Sequence, residues 1–258
     1  MLGSPAGMPH VAAIYRYPVK GLSPEPLETA FLSAGETIPY DRAFAIENGP
    51  SPFDPAEPRT LPKIMFLMLM RNESLAALQT HFDDATSTLT IRQNGAVVAE
   101  GNLATPEGRR AIETFFDAYS AKDLRGPAKV LPAPPGFSFS DVAKKVVSLI
   151  NLETVRAVGR EIGADVHPLR FRGNLHVEGM AAWDEFALVG RTVTIGGVTF
   201  EGVKRIERCA ATNVDPLSAR RDLTIPVSLM RAYGHADCGV YLRVVSGGPI
   251  AIGDQLAG

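Results

Sequence analysis

Short apolar runs bounded by glycine or proline dominate the chain, and this pattern predicts strands. We assign strands to residues 11–19, 88–93, 96–100, 146–150, 171–177, 191–195, 198–203, 240–245 and 250–252. Asn94-Gly95, Gly196-Gly197 and Gly247-Gly248-Pro249 separate consecutive runs, which predicts three hairpins. Short strands joined by glycine turns are typical of a closed or partly closed β-barrel.

Two segments repeat apolar residues at helical spacing and carry signals for a helix start. Thr105-Pro106 supplies an N-cap and a first helical residue ahead of an apolar stripe over residues 112–119. Asn151 is a good N-cap for a second helix, and Gly163 supplies its stop.

Two proline-rich stretches divide the chain. Proline has no N–H to donate and fixes φ, so neither stretch forms a central strand or a helix interior. Residues 50–62 are predicted as a surface loop, and residues 127–136 as a boundary between two halves. We therefore predict a β-rich α+β protein in two parts, with mostly strands and some helices over residues 9–126 and a closed or partly closed β-barrel over residues 127–258.

Charge and cysteine content narrow the classes of partner. The net charge of -2 favours neither nucleic acid nor a membrane surface, so an anionic ligand would need a local basic cluster. Two cysteines, Cys209 and Cys238, are too few for a disulfide framework or an iron–sulfur cluster, and predict a reducing, cytoplasmic setting.

The N-terminus does not resemble a signal peptide, and residues 1–7 are expected to be untethered. No apolar run approaches the ~20 residues of a membrane helix.

The segment around Cys209 carries the strongest chemical signal. Cys209 follows a strand, lies close in sequence to Arg205 and Arg208, and precedes a turn at Asp215-Pro216. Guanidinium groups favour the thiolate, which is the form that binds soft metals and attacks electrophiles. The alternative is that Cys209 is a small buried apolar residue, as we also expect for Cys238.

Several basic and polar residues could form an anion site. Strand alternation would place Arg170, Arg172 and Asn174 on one face, suited to a phosphate or a polar heterocycle. Further candidates are Lys20 before a glycine turn, Arg42 beside Asp41, and Ser148 with Asn151 at a helix start. Each has a plainer interpretation as a solvated charge or a cap.

Other mechanisms have less support. The five histidines lack metal-ligand spacing, and the chain has no GxSxG, P-loop or GxGxxG motif, which argues against zinc hydrolases, serine hydrolases, NTPases and Rossmann enzymes. A Cys–His hydrolase that pairs Cys209 with His176 or His235 stays open.

Six segments in order resemble one family over residues 11–256. They are YPVKG, DRAFAI, VVSLINLETV, RFRGN, RCAATNVDP and GVYLRVVSGGPIAIGDQL. Together they resemble MOSC proteins with an N-terminal β-barrel domain, the group of the mitochondrial amidoxime-reducing component. The resemblance implies a β-barrel-like domain with helices over residues 9–126 and a MOSC β-barrel domain over residues 127–258. Gly21 and Gly173 depart from the Ser of YPVKS and the Pro of RFRPN, and Asn151 replaces a Ser found in some members.

The resemblance implies a molybdopterin cofactor whose molybdenum is coordinated by the Cys209 thiolate. It places pterin and phosphate contacts on Lys20, Arg42, Arg172, Asn174 and Arg208, with help from Ser148, Asn151 and Tyr241. Asp215 could position water or a proton, although a turn role before Pro216 is favoured. The resemblance also implies, at the level of the family, an association with pyridoxal phosphate.

The resemblance further implies a molybdenum-dependent oxidoreductase that reduces small N-hydroxylated compounds by cleaving the N–O bond. Electrons would come from a separate flavin or iron–sulfur partner. The alternatives are a carrier of molybdenum cofactor, a sulfur-transfer protein that uses a Cys209 persulfide, and a cofactor-free scaffold.

Overall fold

The computed structural model describes residues 8–258, so the expectation for residues 1–7 lies outside the described part. The strands are β1 His10–Arg16, β2 Glu25–Leu27, β3 Thr29–Leu32, β4 Phe44–Asn48, β5 Gln79–Asp83, β6 Thr88–Gln93, β7 Ala96–Asn102, β8 Ala128–Pro132, β9 Val147–Asn151, β10 Leu175–Glu178, β11 Thr192–Ile195, β12 Val198–Glu207, β13 Asp237–Ser246, β14 Gly248–Ala251 and β15 Leu256–Ala257. The α-helices are α1 Pro106–Tyr119, α2 Leu152–Ile162 and α3 Ile225–Tyr233, and the 3-10 helices are Lys63–Met65, Glu73–Ala77, Pro168–Phe171, Asp184–Leu188 and Ala210–Asn213. The predicted β-rich α+β class is confirmed.

An eight-stranded sheet organises the molecule, in the order β15-β11-β12-β13-β9-β10-β1-β2. It curls into a half-barrel, and the backbone of Val11 in β1 bonds to Gly253 and Asp254 near β15. Apolar side chains such as Val11, Leu149 and Phe200 fill its interior and are fully buried. Only the β9–β10 pair is parallel, with α2 as the connection between the two strands.

The strand pairing crosses the predicted domain boundary after residue 126 three times. β1 pairs with β10, β3 with β14, and β4 with β8. The first half also has its own core, in which α1 packs on β7 and β8 around Phe82, Ile91 and Phe116. The boundary stays a prediction, but strands from both halves share the large sheet.

Local turn and cap chemistry explains the elements that were predicted correctly. Asn94 and Gly95 adopt φ 51° and 82° between β6 and β7, as a type I′ turn requires. The Thr105 hydroxyl accepts a bond from the N–H of Gly108, and the Asn151 side chain accepts one from Glu153. Gly163 ends α2 in the left-handed conformation.

The predicted hairpin of residues 240–245 with 250–252 is wrong. Both edges of β13 are already occupied, by β12 and β9, so β14 turns away and pairs with β3. A Cβ on Gly247 would lie 2.4 Å from the carbonyl oxygen of Leu32, and one on Gly248 would lie 2.8 Å from that of Gly197. These glycines therefore permit close backbone approach to neighbouring segments, where the sequence suggested a tight turn.

The predicted strand over residues 171–177 begins four residues too early. Residues Pro168–Phe171 form a 3-10 helix, Arg172 is left-handed at φ 51°, and β10 starts at Leu175. Arg170 and Arg172 are fixed by contacts with distant segments, which override the alternation of a strand. Among residues 8–258, none of the helices combines the length and apolar character that crossing a bilayer requires.

His176 in β10 is a buried histidine whose ring lies 5.0 Å from that of Tyr15. Burial lowers the pKa of His176 to about 4, and Nε2 has no hydrogen-bond partner within the described residues. Between the ordinary pKa of 6.5 and the folded value of about 4, the unfolded chain binds a proton that the folded chain excludes.

We therefore expect acid to destabilise the wild type in this window by about 3 kcal/mol more than it destabilises His176→Leu. Urea unfolding at pH 7 and pH 4 measures the difference. Val98→Leu, at an exposed apolar position where no titratable group is removed, is the control and should keep the wild-type pH dependence. An equal loss in His176→Leu and the wild type would contradict the expectation.

Candidate functional site

A basic cleft opens where the loops after β1 and β12 meet the loops before β4, β9 and β10. Five of the predicted site residues line it: Lys20, Arg42, Arg172, Arg208 and Cys209. Lys63 and Arg170 add positive charge, against the carboxylates of Asp141 and Glu207. The cleft thus combines one thiol with an excess of cations, which suits an anionic ligand.

Cys209 lies where β12 ends and a 3-10 turn begins. Its backbone is extended, and its carbonyl accepts bonds from the hydroxyl and the N–H of Thr212. The side chain is partly exposed to the cleft. Within residues 8–258, no group of three or more His, Cys, Asp or Glu side chains could hold a metal ion.

Two arginines fix the Cys209 loop. Arg170 is 3% exposed and donates to the carbonyl of Asn213 and to the carboxylates of Asp215 and Asp222. Arg221 donates to the carbonyl of Ala210 and reaches across to backbone carbonyls at residues 69 and 70. Because Arg170 is buried, breaking its carboxylate pairs is costly, while the exposed Arg221 adds bonds to the loop at Ala210.

Lys20 occupies the floor of the cleft and is almost fully bonded. Its Nζ donates to the carbonyl of Phe139 at 2.9 Å and to Asp141 Oδ1 at 2.5 Å. Burial lowers the pKa of Lys20. Burial alone would raise the pKa of Asp141, but the Lys20 ammonium outweighs it and lowers that pKa. The half-exposed Asp141 carboxylate therefore sits on Lys20 as an anion.

Arg42 and Asn174 are joined by the carboxylate of Asp41. Asp41 accepts from an Arg42 N–H and from Asn174 Nδ2, and Asn174 Oδ1 accepts from the backbone and hydroxyl of Ser148. The pKa of Arg42 stays raised despite burial because Asp41 lies beside it. Asn174 and Ser148 are buried beneath the cleft and hold its frame.

Arg172 and Arg208 approach the cleft from the other side. Arg172 donates to the carbonyl of Leu22 at 2.7 Å, and burial lowers its pKa to about 10. Arg208 donates to the carbonyls of Cys238 and Phe171, and burial lowers its pKa as well. Both cations are poorly solvated, which strengthens their attraction for an anion.

Other predicted residues lie outside this cleft. Asn151 is fully buried and donates to Ala181 and Glu185 behind the sheet. Tyr241 lines a neighbouring opening that it shares with Asp141. The guanidinium of Arg205 stacks on Phe186, 4.2 Å from the ring centroid, and does not line the cleft.

Asp215 forms a turn, as the sequence favoured. It accepts bonds from Leu217 and Ser218 and pairs with Arg170. Partial burial would raise its pKa, but these bonds lower it. The carboxylate is thus engaged in holding the loop.

Sequence reasoning missed three residues that contact the predicted ones. Tyr17 packs against Arg42 and Arg172, Asp141 pairs with Lys20, and Arg221 clamps the Cys209 loop. Tyr17 comes directly after the apolar strand β1, so the sequence does not distinguish it from a core residue. Asp141 lies in an irregular segment without periodicity. The signal for Tyr17 was its place in YPVKG, three residues before Lys20.

Comparisons with known proteins bear on the same region. The family model of the MOSC domain matches residues 134–257. Residues 134–257 form a MOSC domain. MOSC domains are associated with the molybdenum cofactor. The matched region supplies Cys209, Arg172 and Arg208, while Lys20 and Arg42 come from the preceding part of the chain.

The individual proteins that the chain resembles are distant in sequence. A protein of Caenorhabditis elegans named molybdenum cofactor sulfurase is 24% identical over an alignment of 246 residues that covers 91% of this chain and 33% of that protein. The chain therefore spans about a third of this curated relative. The YuaD protein from Bacillus subtilis has a TM-score of 0.44 at 12% identity over 97% of this chain and 94% of its own. YiiM from Geobacillus stearothermophilus has a TM-score of 0.35 at 16% identity over 43% of this chain and 52% of its own.

Two glycines at the departures from the MOSC family motifs fit their surroundings closely. Gly21 has φ 85°, and a Cβ there would lie 2.7 Å from the carbonyl oxygen of Leu67. A Cβ on Gly173 would lie 2.2 Å from Cγ1 of Ile150. Ile150 therefore fills the space that a side chain at residue 173 would take.

The two thiols of the MOSC domain should differ in reactivity. Cys238 is fully buried and its pKa is raised by burial to about 12, so it holds almost no thiolate at neutral pH. We expect Ellman's reagent to modify one thiol, Cys209, in the native protein and two in denaturant. Cys238→Ala should keep the native reaction and Cys209→Ala should abolish it. Two thiols reacting natively would contradict the buried position of Cys238.

Proposed function

We propose that the protein binds the molybdenum cofactor in the basic cleft, with the Cys209 thiolate as ligand to molybdenum. The observation that supports this most directly is the meeting of Cys209 with Lys20, Arg42, Arg172 and Arg208 in one cleft. These residues come from distant segments, so their convergence is a property of the fold.

The side chains in the cleft have the chemistry that the molybdenum cofactor requires of its ligands. A thiolate is the protein ligand suited to a soft site, and guanidinium forks match the oxygen pairs of a phosphate. An arginine has five N–H donors, and within residues 8–258 Arg172 spends one of them, on Leu22. Arg172 therefore retains N–H donors for a ligand. Lys20 would have to release the Asp141 carboxylate before it could bind the same ligand.

The activity that we propose is the reduction of small N-hydroxylated compounds to the corresponding amines or amidines. The substrate takes up two electrons and two protons, the N–O bond breaks, and the oxygen leaves as water. When bound, the cofactor supplies the two-electron redox chemistry at this point. A separate flavin or iron–sulfur partner would deliver the electrons.

The protein's own residues have restricted roles in this scheme. Cys209 holds the metal, and Arg170 and Arg221 keep its loop in place. Lys20, Arg42 and Arg172 bind the anionic end of the cofactor. Asn174 and Ser148 position Arg42 through Asp41, and Asp215 holds the turn.

A second candidate function is cofactor maturation, either as a carrier or by sulfur transfer through a Cys209 persulfide. The similarity to a protein named molybdenum cofactor sulfurase over 91% of the chain favours it. The partly exposed thiol in a basic cleft would serve this role equally well. A carrier would hand cofactor to an apo-enzyme without turning over any N-hydroxylated substrate.

Metal and pterin content test the proposal. In a host that makes abundant cofactor, we expect near-equimolar molybdenum and pterin in the wild type and in Cys238→Ala. We expect a loss of molybdenum of about tenfold or more in Cys209→Ala, because the thiolate is the metal's protein ligand. Elemental analysis and pterin fluorescence measure both quantities.

The outcomes separate the alternatives. Molybdenum retained in Cys209→Ala would mean that the assigned ligand is wrong. Loaded protein that reduces benzamidoxime with a chemical electron donor supports the reductase. Loaded protein that transfers cofactor but reduces no N-hydroxylated substrate supports the maturation role.

A further inference from the structure

Tyr17 lies behind two arginines of the cleft, Arg42 and Arg172. It follows β1, is fully buried, and its backbone N–H donates to Asp41 Oδ1 at 2.9 Å. Its hydroxyl donates to the carbonyl of Gly173 at 3.3 Å, next to Arg172. Burial raises the pKa of Tyr17 to about 12, so the ring carries a neutral phenol.

Two guanidinium groups share this ring. The guanidinium carbon of Arg42 lies 4.5 Å from the ring centroid of Tyr17, and that of Arg172 lies 4.2 Å from it. Both distances fall within the range of a cation–π interaction, in which the negative face of the ring attracts the cation. The Arg42 guanidinium also donates to the backbone carbonyl of Arg172 at 3.1 Å.

The two arginines bring two positive charges together where little water reaches them. Asp41 neutralises Arg42, but no ion pair within residues 8–258 includes Arg172. Burial, together with the nearby charge of Arg42, lowers the pKa of Arg172 to about 10. Arg172 therefore has no ion-pair partner among these residues, and its guanidinium contacts the carbonyl of Leu22 and the ring of Tyr17.

The backbone supports the same interpretation. Arg42 and Arg172 both adopt left-handed φ values, 54° and 51°, which side chains other than glycine, asparagine and aspartate rarely accept. Residues held in such conformations cluster at ligand clamps, where surrounding contacts fix them. Here the shared contact of both residues is the ring of Tyr17.

We infer that Tyr17 is a positioning residue whose ring holds Arg42 and Arg172 together as a preformed site for a phosphate group. The guanidinium forks supply paired N–H donors, and the ring stabilises both cations before the anion arrives. The inference rests on the proposed function for the identity of the ligand, a phosphate monoester of the cofactor. The arginine pair itself can be tested with inorganic phosphate alone.

The test varies the electronics of the ring at constant packing. Tyr17 is replaced by phenylalanine and by phenylalanines with one, two and three ring fluorines, which progressively weaken the negative face. Calorimetry at low ionic strength measures inorganic phosphate affinity. We expect Tyr17→Phe to bind within about twofold of the wild type, and the trifluoro variant about fivefold more weakly than Tyr17→Phe, with the others graded between.

Phe116 provides the matched control, since its ring is fully buried in the core of the first half and does not line the cleft. The same fluorinated series at Phe116 should leave phosphate affinity unchanged. A second readout is the proton resonance of the arginine side-chain Nε–H groups. Ring current should displace these signals for Arg42 and Arg172 in the wild type and Tyr17→Phe, and Tyr17→Leu should remove the displacement.

Two results would overturn the inference. One is equal phosphate affinity across the fluorinated series, since Tyr17 would then serve packing alone. The other is a wild type that does not bind inorganic phosphate at millimolar concentration. Neither decides whether molybdenum is bound, because the metal and pterin content of the wild type and Cys209→Ala settle that separately.

Discussion

The buried carboxylate of Asp41 connects the segments from which the cleft is built. It accepts bonds from the backbone of Tyr17 after β1, from the side chain of Asn174 before β10, and from its neighbour Arg42. A charge that is 4% exposed is tolerated only where several donors satisfy it, and here those donors belong to three separate segments. The relative positions of Arg42, Tyr17 and Arg172 all depend on this one group.

Sequence alone predicted what local chemistry decides. The Asn94-Gly95 turn, the Thr105 and Asn151 caps and the Gly163 stop each depend on a few adjacent residues, and the structure has all four. The convergence of Lys20, Arg42, Arg172, Arg208 and Cys209 in one cleft was reached by resemblance to family motifs. Nothing in their spacing brings residue 20 close to residue 209.

Contacts between distant segments account for the errors. Residues 171–174 alternate like a strand, but Arg170 is drawn to Asp215 and Asp222 and Arg172 to Tyr17, so the strand begins later. The sequence suggests that Gly247 and Gly248 form a tight turn, but in the structure they allow the backbones of neighbouring segments to approach closely. Asn151 was expected at the cofactor, but it reaches Glu185 on the far side of β9. A single sequence does not reveal such partners, because the partner could lie anywhere along the chain.

Strands from the two halves pair with each other, which limits where the chain could be cut and joined to another protein. A fragment that begins at residue 134 would contain the matched MOSC segment but not β1, which covers one edge of β10. That edge would expose unpaired N–H and C=O groups, which recruit strands from other molecules. The same fragment would lose Lys20, Arg42 and the partner of β14. A fusion protein or a domain graft would therefore need residues 10–48 as part of the transplanted unit.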